Sequence, residues 1–150
     1  MIAVGERAPE FDLEVASGGR IQLREALTHG PLVLFFYPKD ATPGCTAEVC
    51  SFRDAYQDFI DAGAQVVGVS SDSIDSHGRF ATQHALPYPL ASDPGAKIRA
   101  AYGVPKTLGL LPGRVTFVID RDGIVRSVFN SQFGADKHVP AALEALRALA

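Results

Sequence analysis

The sequence has few of the features that mark disulfide-rich, membrane-spanning or nucleic-acid-binding proteins. Its 150 residues include two cysteines, too few for a disulfide scaffold and too few to fix the compartment. A run of about 18 apolar residues, as a transmembrane helix requires, does not occur. The first residues lack the basic start and apolar stretch of a secretory signal. The formal net charge of −3 argues against a nucleic-acid-binding domain, which is usually strongly basic.

What is present is the composition of an ordinary globular protein, with 47% hydrophobic and 21% charged residues. A chain of this length corresponds to one domain and buries about 68–70% of the surface that its unfolded state exposes. Neither an internal repeat nor a Gly/Ser/Pro-rich linker divides it. We therefore expect a single domain over residues 1–150, without a membrane segment, in the cytoplasm.

Hydrophobic periodicity predicts strands that alternate with helices. Continuous apolar runs at residues 32–37 and 65–70 have the length of buried strands, and apolar spacings of three and four predict an amphipathic helix over 43–62. Further helices are predicted at 73–85, 93–103 and 138–149, and a short strand at 88–91. Two hairpins are expected, at 11–15 with 20–23 and at 115–120 with 124–129. This order predicts an α/β fold with a central mixed β-sheet flanked by helices on both faces, for which a thioredoxin-like layout is the candidate.

Cys45 lies where the helix over 43–62 should begin. Thr42 is a good N-cap and Pro43 suits the first helical position, which places Cys45 third in the helix. Unpaired N–H groups and the positive end of the helix dipole favour an anion there, and helix N-termini lower cysteine pKa values in general. The Thr42 hydroxyl could accept a backbone N–H and donate its proton to the sulfur, and Gly44 would let a substrate approach the backbone. A buried cysteine that only fills space remains the alternative at this point.

Cys50 follows Cys45 by five residues, about 140° around the helix. In an ideal helix the two Cα atoms would lie about 8.7 Å apart, whereas a disulfide needs about 4.4–6.8 Å. An intact helix therefore cannot hold this bridge. Either the helix unwinds when the cysteines join, or they stay two unrelated thiols.

Several segments of the sequence resemble the peroxiredoxins, thiol peroxidases of the thioredoxin-like superfamily. Pro38, Thr42 and Cys45 match their PxxxTxxC motif. The stretch FYPKDATPGCTAEVCSFRD is similar to the peroxiredoxin Q, or bacterioferritin comigratory protein, subfamily, in which a second cysteine often follows after five residues. The segments APEFDL, GVSSDS and GRVTFVIDRDGIV fit the family's order, so the resemblance covers nearly the whole chain.

The resemblance implies a role for each residue of the motif region. Cys45 would be the peroxidatic cysteine and Cys50 the resolving one. Thr42 and Arg114 would hold the thiolate and the peroxide, and Pro38 would shield the sulfur from water. Glu48 would support the site, by orienting Arg114.

The resemblance also implies a reaction and its partners. The substrate would be a peroxide, and thioredoxin or a similar dithiol would recycle the enzyme without a cofactor or a metal. We expect a monomer, with a weak dimer as the alternative.

Two other function classes stay open on the residues alone. A thioredoxin-type disulfide reductase is disfavoured because CxxxxC replaces CxxC, and a non-enzymatic module would use the cysteines for metal binding or packing. A cysteine protease would need a histidine partner, which spacing cannot exclude. Lys39-Asp40 reads as a solvated turn. Without HxH or HExxH spacing, surface or helix-end positions are expected for the four histidines, His29, His77, His84 and His138.

Overall fold

The computed structural model describes residues 1–107 and 111–149. In this part of the chain the strands are β1 (Asp12–Val15), β2 (Arg20–Gln22), β3 (Leu32–Phe36), β4 (Gln65–Ser70), β5 (Leu90–Ser92), β6 (Lys106–Thr107), β7 (Leu111–Pro112), β8 (Val115–Ile119) and β9 (Val125–Asn130). The helices are α1 (Leu23–Ala26), α2 (Pro43–Asp54), α3 (Tyr56–Asp61), α4 (Ile74–Gln83), α5 (Lys97–Ala101) and α6 (His138–Leu149), and two 3₁₀ turns cover Pro94–Ala96 and Ala135–Lys137.

Seven of the strands form one mixed sheet in the order β2-β1-β5-β4-β3-β8-β9. The strands β3, β4 and β5 run parallel, while β1 with β2 and β8 with β9 form the two antiparallel hairpins that the sequence predicts. The strand β3 lies inside the sheet, between β4 and β8, and all of its residues are buried. Its continuous apolar sequence therefore suits a strand that is covered on both faces. The short strands β6 and β7 pair separately.

Helices cover both faces of this sheet, as the sequence predicts. Leu32, Leu34 and Phe36 face a cluster that includes Leu23 of α1 and Tyr102, which follows α5. Val33 and Phe35 face the second cluster, to which α2, α3, α4 and α6 contribute. The members of that cluster from these four helices include Val49, Phe52, Phe59, Phe80, Val139, Ala142 and Leu146. In the described residues no helix is long and apolar enough to span a bilayer.

The helix predicted over residues 43–62 is in fact two helices. Ala55 leaves the helical backbone conformation, with φ −95° and ψ 6°, and separates α2 from α3. The Phe59 ring of α3 then lies 5.5 Å from that of Phe52, centroid to centroid. The strand predicted at 88–91 is shifted to Leu90–Ser92, and a 3₁₀ turn in which Gly95 has a φ of 71° precedes α5. The fold class is confirmed, and these differences do not move the start of α2.

Candidate active site

Cys45 lies at the start of α2, in a turn built by Thr42 and Pro43. Thr42 is the N-cap in an extended conformation, and Pro43 occupies the first turn, where its missing N–H leaves no helical bond unmade. The first bond of the helix runs from Thr46 N–H to Thr42 O, so the N–H groups of Gly44 and Cys45 precede the ladder. Cys45 is 1% exposed. The fold thus places a nearly buried thiol at the positive end of a helix.

Arg114 reaches the Cys45 sulfur from the other side of the site. It directly precedes β8, the neighbour of β3, and is buried. Its Nη2 donates to Cys45 Sγ at 3.3 Å, its Nη1 to Glu48 Oε1 at 2.6 Å and its Nε to the Gln132 carbonyl at 3.1 Å. Burial lowers the pKa of Arg114, but the negative charges of Glu48 and Cys45 outweigh it and raise that pKa. The structure therefore brings together the cysteine and the arginine that the resemblance pairs.

Gly44 leaves room for this arginine. A Cβ atom at Gly44 would lie 3.1 Å from Arg114 Nη2, although the residue itself is exposed. We expected the missing side chain of Gly44 to let a substrate come close to the backbone. In the structure the Arg114 guanidinium occupies that space.

Glu48 is completely buried one helical turn after Cys45, and its two oxygens differ. Oε1 accepts from Arg114, whereas Oε2 has no hydrogen-bond partner among the residues that the structure describes and lies 3.5 Å from His138 Nδ1. Burial raises the pKa of Glu48 to about 8, against the opposing effect of Arg114. The carboxyl of Glu48 therefore favours its protonated form far more than an exposed glutamate does.

His138 is buried beside Glu48 at the first residue of α6. Its Nε2–H donates to the Ser131 carbonyl at 2.9 Å, and its Nδ1 accepts from the Thr116 hydroxyl at 2.8 Å. Burial lowers the pKa of His138 to about 4, and the charge of Arg114 acts in the same direction while the Ser131 carbonyl opposes it. A surface or helix-end position was predicted for this histidine; it does lie at a helix end, but it is buried.

The Thr42 hydroxyl does not make the two bonds that the sequence suggested. It donates its proton to the Lys39 carbonyl at 2.9 Å and does not cap the helix. A hydroxyl has a single proton, so in this arrangement none is left for the Cys45 sulfur. Its lone pairs remain available to accept a hydrogen bond. Pro38 follows β3 by two residues and is half-buried.

Asp40, read from the sequence as part of a solvated turn, is in fact buried. Its carboxylate accepts from the Tyr37 hydroxyl at 2.6 Å, from Ser76 Oγ at 2.9 Å and from His77 Nδ1 at 2.7 Å. Its backbone N–H donates to Asp72 Oδ2 at 2.9 Å. Burial alone would raise the pKa of Asp40, but these hydrogen bonds lower it. The loop between β3 and α2 is therefore anchored at its middle residue.

His77 is also buried, in the middle of α4, so the expectation of a surface or helix-end position was wrong for it. Its Nε2–H donates to the Ala91 carbonyl at 3.0 Å, while Nδ1 faces Asp40. One ligand atom from each of Asp40, Asp72 and His77 lies within 4.8 Å of the others. His77 already binds Asp40 and the Ala91 carbonyl, and the Asp72 carboxylate already accepts from the Asp40 N–H and from Ser70 Oγ. We therefore read this cluster as a structural anchor. Sequence spacing could not reveal it, since its partners lie on three separate elements.

Cys50 is the second free thiol and lies on α2 one and a half turns after Cys45. It is half-buried, and the helix is continuous across both cysteines. This is the reduced form, in which ideal helix geometry keeps the two residues about 8.7 Å apart.

Comparison with known proteins gives a consistent set of relatives. A model of the AhpC/TSA family matches residues 4–128. Chloroplastic peroxiredoxin Q of Sedum lineare is 45% identical over 149 residues, which cover 99% of this chain and 80% of that protein. Chloroplastic peroxiredoxin Q of Arabidopsis thaliana is 46% identical over 145 residues, covering 96% and 67%.

Solved structures of similar proteins lead to the same group of relatives. Peroxidoxin BcpB of Mycobacterium tuberculosis superposes with a TM-score of 0.92 at 40% identity, covering 100% of this chain and 99% of that one. Peroxiredoxin Q of Xanthomonas campestris superposes with a TM-score of 0.84 at 33% identity, covering 92% and 90%. The similarity thus extends over sequence and fold together.

Proposed function

Because the chain belongs to the AhpC/TSA family and is a peroxiredoxin, a thiol-dependent peroxidase, we propose that peroxide oxidises Cys45 and that Cys50 resolves the product. One observation carries this assignment of roles. Arg114 Nη2 lies 3.3 Å from a nearly buried Cys45 Sγ at a helix N-terminus. Both the cation and the helix end favour negative charge at that sulfur.

In the first step the Cys45 thiolate attacks one oxygen of ROOH and the O–O bond breaks. The sulfur becomes a sulfenic acid, and the leaving RO⁻ takes a proton from solvent and departs as ROH. Arg114 and the N–H of Cys45 are the donors that stabilise charge on the leaving oxygen. Since the Thr42 proton is bound to Lys39 O, the Thr42 hydroxyl accepts a hydrogen bond from the peroxide O–H. Pro38 and the surrounding apolar residues keep water from the sulfur.

Stabilisation of the leaving oxygen is the larger contribution to the rate. An ordinary thiol with a pKa near 8.5 is about 3% ionised at pH 7, so full ionisation gains only about 30-fold. Enzymes supply at least about 10⁶-fold. Most of the acceleration therefore has to come from groups such as Arg114 that bind the transition state. Arginine suits this role because its charge is permanent and its donors are fixed in a plane.

In the second step Cys50 condenses with the Cys45 sulfenic acid and releases water. The resulting disulfide requires the first turns of α2 to unwind, because the distance between the Cα atoms of the two cysteines must fall from about 8.7 Å to below about 6.8 Å. The family implies a thioredoxin-type reductant, and we propose thioredoxin itself, which would return both thiols by disulfide exchange.

Three further points are part of this proposal. Residues 1–150 act as one domain, supported by a site whose Cys45 and Arg114 are 69 residues apart in sequence. The working form is a monomer, or at most a weak dimer, which sedimentation velocity measures. A cytoplasmic location remains a prediction, since the curated relatives cited above are chloroplastic.

A peroxide-consumption assay with thioredoxin and its reductase tests the function. We expect turnover with hydrogen peroxide and with an organic hydroperoxide, none in Cys45→Ser, and a trappable sulfenic acid on Cys45 with little recycling in Cys50→Ser. Arg114→Ala should slow the peroxide step about 10²–10³-fold and leave disulfide exchange with thioredoxin nearly unchanged. Turnover of Cys45→Ser at the normal rate would reject the assignment. Insulin reduction and metal analysis of the same protein test the disulfide-reductase and metal-binding alternatives.

A further inference from the structure

Arg99 is a second buried arginine close to the site. It lies on α5, is 8% exposed, and sits with its guanidinium carbon 5.6 Å from the centroid of the Phe36 ring. Its Nη1 donates to the Gly113 carbonyl at 2.7 Å and its Nη2 to the Tyr37 carbonyl at 2.8 Å. Two donors of one rigid group thus bind two chain segments that are far apart in sequence.

Those two carbonyls mark the place where β3 and β8 separate. The antiparallel ladder between the strands ends at the pair Phe36 and Val115. Tyr37 and Gly113 lie just beyond it, immediately before Pro38 and Arg114 in the sequence. The guanidinium therefore connects the strand ends at the point where the ladder no longer does. Both segments lead directly into the site, one through Pro38 to α2 and the other through the side chain of Arg114.

The charge of Arg99 is compensated differently from that of Arg114. Arg114 hydrogen-bonds to the Glu48 carboxyl group and to the sulfur, whereas the guanidinium of Arg99 hydrogen-bonds to two backbone carbonyls. Burial lowers the pKa of Arg99, and the negative charges of Asp93 and Cys45 act in the opposite direction. An arginine stays protonated under these conditions. Its positive charge therefore favours negative charge at Cys45 as well as at Asp93, whose Oδ2 accepts from the Arg99 backbone N–H.

Building on the proposed function, we propose that Arg99 is a positioning residue for the peroxide step: its guanidinium fixes the segments that carry Pro38 and Arg114 and adds a second positive charge near Cys45. It acts through Arg114 and through the shape of the site, and it need not touch the peroxide. Lysine cannot replace it, because an ammonium lacks the planar pair of donors that both carbonyls require.

The test is single-turnover oxidation of the reduced protein by hydrogen peroxide, followed by rapid quench and mass spectrometry of Cys45. Arg99→Ala should react about 10²-fold more slowly and Arg99→Lys about 10-fold more slowly. Lys97→Met is the matched control, because it removes one positive charge from an exposed position on the same helix, and it should keep the normal rate. Reduction of the preformed disulfide by thioredoxin should be unchanged in all three variants.

Chemical rescue separates this role from a purely structural one. Methylguanidinium should fill the space left in Arg99→Ala and restore much of the peroxide rate. Methylurea has a similar shape but no charge, and it should not. Circular dichroism establishes which variants are folded, and if Arg99→Ala is not, Arg99→Lys decides alone.

The outcomes distinguish this inference from the proposed function. Oxidation of Cys45 at equal rates in the unaltered protein and in folded Arg99 variants overturns the inference alone. Equal rescue by methylurea also overturns it, since the charge would then have no role. If peroxide fails to oxidise Cys45 in the unaltered protein, the proposed function and this inference both fall.

Discussion

Arg114 acts within a space that a single glycine keeps open. Its guanidinium donates hydrogen bonds to three groups, the Cys45 sulfur, the Glu48 carboxyl and the Gln132 carbonyl. Because one rigid planar group makes all three contacts, a movement away from one of them changes the others. The geometry of this site therefore depends on Gly44, the neighbour whose missing side chain leaves the guanidinium its place.

Gly44→Ala should lower activity while leaving stability intact or improved. The new Cβ would lie 3.1 Å from Arg114 Nη2, so the guanidinium must shift by a few tenths of an ångström, and we expect the peroxide step to slow about 10-fold. Alanine stabilises helices relative to glycine, by about 0.5 kcal/mol or more. Stopped-flow peroxide kinetics and urea denaturation measure the two effects. Unchanged kinetics would mean that the arginine tolerates the shift.

Glu48 and His138 predict an unusual dependence of stability on pH. In the folded protein the pKa of Glu48 is raised from 4.5 to about 8 and that of His138 is lowered from 6.5 to about 4, in each case chiefly by burial. Between about pH 4.5 and 6.5 the pair holds one proton whether folded or unfolded. Stability from this pair is then constant, because it changes only where the two states bind different numbers of protons.

Above pH 6.5 the contribution of this pair to the free energy of unfolding decreases with pH. Unfolded His138 loses its proton while folded Glu48 keeps one, so stability should fall by about 2 kcal/mol as the pH rises to 8. In His138→Gln only Glu48 remains, and the decline should begin near pH 4.5. Denaturation by urea at pH 5, 6.5 and 8 compares the two proteins. A steady rise in the stability of the unaltered protein from pH 5 to 8 would contradict the assignment.

At the scale of elements, α2 must be stable enough to hold the thiol and weak enough to open. The Tyr88 hydroxyl donates to the Val49 carbonyl at 2.6 Å and Val49 is fully buried. Both contacts are made by a residue between Cys45 and Cys50, and we expect them to break when the disulfide forms. The helix is thus fastened to the loop before β5 at the point where it has to unwind.

Tyr88→Phe should therefore speed disulfide formation. Losing the hydrogen bond removes about 1 kcal/mol of resistance, which corresponds to about a five-fold faster resolving step and less overoxidation of the Cys45 sulfenic acid. Tyr56→Phe is a control, since Tyr56 packs 6.2 Å from the Tyr88 ring but lies on α3. The rate of amide hydrogen exchange over residues 42–53 should rise on oxidation, in the unaltered protein and in Tyr88→Phe. Equal exchange in reduced and oxidised protein, with the Cys45–Cys50 bond confirmed, would exclude unwinding.

Elements with strong local patterns could be predicted from the sequence, and those set by distant contacts could not. The strand β4 and the helix α6 have the predicted bounds, because an apolar run and a three-and-four spacing are local properties. The break at Ala55 and the burial of Asp40 were missed, since both depend on packing against other elements. Likewise, the residues alone did not pair Cys45 with Arg114. The resemblance to a family did so, and the structure brings the two side chains into contact.

At the scale of the whole molecule, the loop before α2 is tied to α4 and to β5, which lies two strands from β3 in the sheet. His77 on α4 joins Asp40 in that loop to the Ala91 carbonyl on β5, so three segments meet at one imidazole. The backbone N–H of Asp40 is held by Asp72, which follows β4. The position of Cys45 therefore depends on the packing of α4 as well as on its own helix.

His77→Asn should weaken the whole fold and the site together. Removing one partner of a buried pair leaves the other uncompensated and costs about 3 kcal/mol or more, and the freed loop should slow the peroxide step about 10-fold. His29→Asn, at an exposed position, should change neither. Urea denaturation gives the first effect, and stopped-flow kinetics with amide exchange over residues 40–46 give the second. A large loss of stability with an unchanged peroxide rate and unchanged exchange would show that the loop keeps its conformation without His77, and that Tyr37, Ser76 and Asp72 suffice to hold it.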